Sequence, residues 1–139
     1  MTMHLGDESG NEYNSSNPVP MKMVSSLASA VILQAGATSA SNGTSYKPTS
    51  PQTLTFEITG TSTSRTIIFE LAGPKGVYQA HPGYKIGDTT YTAATQTTGG
   101  STAAPESWEA DIPANYSFRA RVSAIAGGNV DISGSAVAQ

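Results

Sequence analysis

Residues 52–71 read QTLTFEITGTSTSRTIIFEL, and this stretch decides the fold. In its first half Leu54, Phe56 and Ile58 alternate with Thr53, Thr55, Glu57 and Thr59. In its second half Ile67, Phe69 and Leu71 alternate with Thr66, Ile68 and Glu70. A period of two places one set on a buried face and the other in solvent, the mark of half-buried antiparallel strands. Gly60 and the hydroxyl residues up to Ser64 form the connection, so the stretch predicts a β-hairpin.

The same alternation spreads outward. Residues 107–112 set Trp108, Ala110 and Ile112 against Glu109 and Asp111. Residues 116–125 set Tyr116, Phe118, Ala120, Val122 and Ala124 against Ser117, Arg119, Arg121, Ser123 and Ile125. Gly127-Gly128-Asn129 predicts a tight turn into a last strand over 130–137. Further strands are expected at 27–34, 77–80, 84–86 and 89–94, the last with Tyr91 at its centre. The breaks between them hold Asn42-Gly43, Pro48, Pro51, Gly73-Pro74, His81-Pro82-Gly83 and Pro113. Seven to nine short strands without an amphipathic helix predict an all-β, antiparallel two-sheet sandwich, Ig-like or jelly-roll-like. Its expected core is Phe56, Ile58, Ile67, Phe69, Trp108, Phe118 and Val122.

Composition agrees. Among 139 residues, 17 are Thr, 18 are Ser, 14 are Gly and only five are Leu, which favours strands and turns over a helical bundle. Charged residues make up 12%, too few for a charge-driven disordered chain. Four Lys and three Arg face ten carboxylates, so the clustered positive charge of a nucleic-acid binder is missing. There is no Cys, which removes thiolate metal sites, disulfides and thiol nucleophiles. No stretch approaches the ~20 apolar residues of a membrane span.

Residues 1–23 differ from the remainder. MTMHLGDESGNEYNSSNPVPMKM has neither periodicity, and Pro18 and Pro20 hold it extended. It is expected to be an N-terminal arm ahead of a sandwich domain over 24–139, ordered by a partner. Asn17, Pro18, Val19, Pro20, Met21 and Met23 are the candidate contact residues. Residues 21–40 also have a signal-peptide-like order of Lys, apolar stretch and small residues, with Met21 as an alternative start. Twenty preceding residues and Ser25, Ser26 and Ser29 within the apolar part weigh against it.

The chemical inventory is thin. His4 and His81 are the only histidines, and G-x-S-x-G is absent. Glu109 and Asp111 share a strand face at roughly 7 Å, and Asp88 and Asp131 complete a conceivable metal set. A polar strand face carries acids routinely, however, and no calcium-loop motif occurs. Trp108, Tyr78, Tyr84 and Tyr91 could line a sugar-binding face, although Trp108 alternates in phase with core residues. The expectation is a non-enzyme without cofactor or metal.

LTFEITGTSTSRTIIFELAGPKGVYQAHPG, the Thr-rich stretch after it, and ESWEADIPANYSFRARVSAIAGGNVDISGSAVA occur in an order that resembles small virion proteins of tailed bacteriophages. GNEYNSSNPVPMKM is similar to the lead-in of many phage structural proteins, with Val19 where Leu is commoner. The resemblance implies an Ig-like or jelly-roll-like β-sandwich that binds to a phage particle; the expected place is the outer surface of the virion, in multiple copies or as a homo-oligomer. It also implies a last Gly-rich hairpin joining the 116–125 strand, with its FRARVSAI run, to the final strand. The leading expectation is a capsid decoration or cement protein bound to the major capsid protein. A neck or tail accessory protein is the alternative within that class. A glycan-binding adhesion module acting through Tyr78, Tyr84 or Trp108 is the alternative outside it, and a secreted bacterial sandwich starting at Met21 is a fourth reading.

Overall fold

The computed structural model describes residues 28–97 and 104–139. Nine strands follow in order: β1 (Ser29–Ala37), β2 (Gln52–Thr59), β3 (Ser64–Ala72), β4 (Tyr78–Ala80), β5 (Gly83–Ile86), β6 (Thr92–Ala94), β7 (Glu106–Ile112), β8 (Ser117–Ala126) and β9 (Val130–Ala138). They form a six-stranded sheet in the order β1-β9-β2-β7-β5-β6 and a three-stranded sheet in the order β4-β3-β8. Every pairing is antiparallel. The fold is therefore an all-β two-sheet sandwich, without a helix among the described residues.

All seven expected core residues are buried, each at most 1% exposed. Phe56 and Trp108 come from the large sheet, Phe69 and Phe118 from the small one. Their rings interlock across the gap, with Phe56–Phe69 at 5.3 Å and Phe69–Trp108 at 5.0 Å, both edge-to-face. That geometry adds a quadrupolar attraction to the burial itself.

The two expected hairpins are not hairpins. β2 pairs with β7 and β9, whereas β3 pairs with β4 and β8. The chain crosses from the large sheet to the small one after β2 and after β7, and returns after β4 and after β8. A hairpin would bring both apolar faces onto one side of a single sheet, but two-layer packing lets them face each other. The loops after β2 and β8 lock together: Thr61 N donates to Asn129 Oδ1 at 3.0 Å, Ser62 N to Asn129 O at 3.0 Å, and Thr63 N to Ala126 O at 2.9 Å. Gly60 and Gly127 have φ of +132° and +75°, and a Cβ on either would strike the opposite loop. Glycine is required there by both conformation and space.

The flanks are closed by chain that leaves its own sheet. Between β1 and β2, Ser41 and Tyr46 bridge to Val122 and Phe118 of β8. Gln34, 4% exposed, donates from Nε2 to Ser41 O and to Ala120 O, tying the large sheet's edge to the small sheet. After β6, Phe69 N donates to Thr95 O and Thr97 N to Ile67 O, both at 2.9 Å, so the chain runs along β3.

One departure from the simple alternation has a local cause. Ser123 is an extra residue opposite the step from Thr66 to Ile67, a bulge that reverses the faces beyond it. Ile125 therefore turns toward the core and Ala124 outward, opposite to the simple alternation. Arg65 falls in phase with Ile67 and Phe69 and is 5% exposed. Its guanidinium is received by backbone and hydroxyl oxygens: Ala104 O at 2.8 Å, Ser62 Oγ at 3.3 Å and Ile58 O at 3.4 Å.

Candidate functional site

The candidate surfaces are the outer faces of the two sheets. On the small sheet, Glu70 of β3 stands opposite Arg119 of β8. Arg119 Nε and Arg121 Nε each donate to Glu70 Oε1 at 2.9 Å, and Arg121 Nη2 donates to Oε2 at 3.3 Å. The Arg119 guanidinium lies 3.6 Å from the centroid of the Tyr78 ring, and the Tyr78 hydroxyl bonds Ser45 Oγ at 2.6 Å. The two arginines are thus absorbed in a clasp joining β3, β8, β4 and the loop before β2. The hydrogen bond from Arg121 holds the Glu70 carboxyl below the usual glutamate range; desolvation opposes this, and Arg119 reinforces it.

That clasp has a pH signature. The unfolded carboxyl binds its proton more tightly than the folded one, so the clasp's stabilisation is complete above about pH 4.3. It is lost as pH falls through the depressed folded pKa. Glu70→Gln is expected to cost about 1–2 kcal/mol at pH 7, a charge-assisted network only partly screened. Chemical denaturation from pH 7 down to pH 3 should show the two proteins converging, and a constant gap would rule out the clasp as the cause.

On the large sheet the four candidate carboxylates are kept apart. Asp131 Oδ1 accepts from Gly36 N at 2.7 Å and pins an irregular part of β1. Asp111 Oδ1 accepts from Thr53 Oγ1 at 2.9 Å and Gln139 Nε2 at 3.0 Å. Glu109 stands between Thr55 and Tyr84, and Asp88 lies in the turn after β5. Among the described residues no three His, Asp or Glu come together as a metal centre. His81 bonds the backbone oxygen of Asp111 through Nε2 at 2.7 Å and packs edge-on to Phe118, so it acts as a strut between the layers.

The aromatics divide differently from the expectation. Trp108 is fully buried, and its Nε1 has no hydrogen-bond partner, so it is a core residue. Its burial removes the sugar-binding face built on Trp108. Tyr78 is covered by Arg119. Tyr91 lies outside β6, not at a strand centre, and is 82% exposed. Its ring stacks on Tyr84 with centroids 4.8 Å apart and planes 26° from parallel. The Tyr91 hydroxyl is pushed above its ordinary pKa by desolvation, then by Tyr84 and the negative charges of Glu109 and Asp111.

Asn17, Pro18, Val19, Pro20, Met21 and Met23 lie outside the described residues. The described chain begins at Ala28 and enters β1, which pairs only with β9 and so forms an edge of the large sheet. Ile32, on this edge strand, is 62% exposed.

The XepA family model matches residues 28–136. No curated protein sequence matches the chain. Among solved structures, the SPBc2 prophage-derived protein YomS is similar with a TM-score of 0.73 and 24% identity, over 86% of this chain and 100% of YomS. The PBSX exported protein XepA is similar with a TM-score of 0.74 and 21% identity, over 99% of this chain and 49% of XepA. The chain thus spans about half the length of that protein. At these identities the likeness establishes the sandwich, and the family match over most of the described residues establishes the lineage: the chain belongs to the XepA family.

Proposed function

We propose that the protein is a non-enzymatic structural protein of a bacteriophage virion, a capsid decoration or cement protein in multiple copies on the outer surface. The observation that carries the reading is the XepA family match, whose structural neighbours are described as a prophage-derived and an exported protein. The internal use of polar groups supports a passive role. Glu70, Asp131, His81 and both arginines of β8 are engaged in holding strands together. Attachment falls to the arm, with Pro18 and Pro20 reducing the entropy lost when residues 17–23 dock on the major capsid protein or a neighbouring copy. Multiple copies let each contact be modest.

A second reading is favoured by the description of XepA as exported. In it the protein is a phage product that acts off the particle. Mass spectrometry of gradient-purified particles and of the surrounding medium separates the two, because a virion protein co-sediments at a fixed ratio to the major capsid protein. Recovery only in the medium would overturn the virion reading. The arm is tested by adding residues 24–139 to particles that lack the protein. The truncated form is expected to fold, since every described strand lies beyond residue 28, and to lose most of its occupancy. Full occupancy would show that the sandwich alone carries the interface.

A further inference from the structure

We infer that the outer face of the six-stranded sheet, centred on the Tyr91 ring, binds an uncharged polysaccharide chain. Tyr91 presents one ring face to solvent while Tyr84 supports the other at 4.8 Å. A ring fixed from behind loses little freedom when a flat ligand settles on it. Pyranose rings offer such a flat C–H surface, ringed by hydroxyl donors.

The acceptors for those donors stand beside the ring. Strand register sets Tyr84 next to Glu109, and Glu109 next to Thr55. One step along, Asp111 stands on the same face, and Ser107 lies one step the other way. Carboxylates accepting from sugar hydroxyls form charge-assisted bonds, stronger than neutral ones. The rows containing Glu57, Glu109 and Asp111 hold no Lys or Arg among the described residues. Their summed negative charge disfavours phosphate- or uronate-bearing polymers. A single open ring also differs from the aromatic cage that encloses a quaternary ammonium ion. Trp108 has no part in this platform.

The test is calorimetric titration of the full chain with cellohexaose and with chitohexaose. Binding of at least one is expected. Tyr91→Ala should weaken it about tenfold, equivalent to about 1.4 kcal/mol. Tyr91→Phe should stay within about threefold, because the ring face supplies the contact. The melting midpoint of Tyr91→Ala should match the parent, since the side chain is exposed. Glu109→Gln should weaken binding without affecting the fold. Failure of both oligosaccharides to bind would overturn the inference. So would undiminished binding by Tyr91→Ala, or binding of choline in place of both oligosaccharides.

Discussion

Phe69→Ala is expected to cost about 3–5 kcal/mol, the range for removing a fully buried aromatic ring. Phe69 is 0% exposed and stands where both layers meet. It touches Phe56 and Trp108 of the large sheet edge-on. The buried Gly83 of β5 lies so near that a Cβ there would come within 3.1 Å of the Phe69 ring. Collapse into the vacated space is resisted from three sides, because neighbouring strands are held by the backbone bonds of both sheets. Equilibrium urea unfolding measures the change. A loss below about 1 kcal/mol would mean that the site refills easily and that the two layers are not registered through this ring.

The fold class was legible because its signal is local. Leu54, Phe56 and Ile58 alternate strictly, and β2 occupies the predicted 52–59. Trp108 could be placed in the core by phase alone and is buried there. Pairing was not legible, because a short Gly-containing connection serves either a hairpin or a crossing between layers. The deciding contacts, Thr61 and Ser62 with Asn129, join residues nearly seventy positions apart. The inward turn of Ile125 depends on a bulge at Ser123 that only the pairing with Thr66 and Ile67 reveals.

The surfaces were less legible for a similar reason. Glu109 and Asp111 were found from spacing, but their neighbours come from β2 and β5. Arg119 and Arg121 share a strand face by alternation, and the carboxylate that absorbs them lies 49 and 51 residues away. Arg65 carried no signal except its phase with Ile67 and Phe69. A charged residue in a buried phase is ordinarily read as a strand end, not as a side chain whose charge is met by backbone oxygens.

Gly134→Val is expected to destabilise the protein by more than about 4 kcal/mol, among the largest effects of a single substitution. Gly134 lies in the middle of β9, flanked by Val31 of β1 and Phe56 of β2. A Cβ at this position would overlap the Thr55 carbonyl oxygen and lie 2.6 Å from Phe56 Cα. Both obstacles are backbone, so rotamer changes give no relief. β9 would have to separate from β2, and β9 is the strand that joins β1 to the rest of the sheet. Interior glycine weakens a strand, and its presence marks a close approach of another chain segment. Gly134→Ala places the same first carbon and is also expected to lower the thermal midpoint, by about 5 °C or more. Gly76→Ala is the control: nothing lies within 4 Å of a Cβ there, and only its φ of +76° is strained. It should cost about 1–2 kcal/mol. Thermal melts of the three variants rank the effects. A Gly134→Ala midpoint equal to the parent's would show that β2 and β9 are not pressed together at this residue.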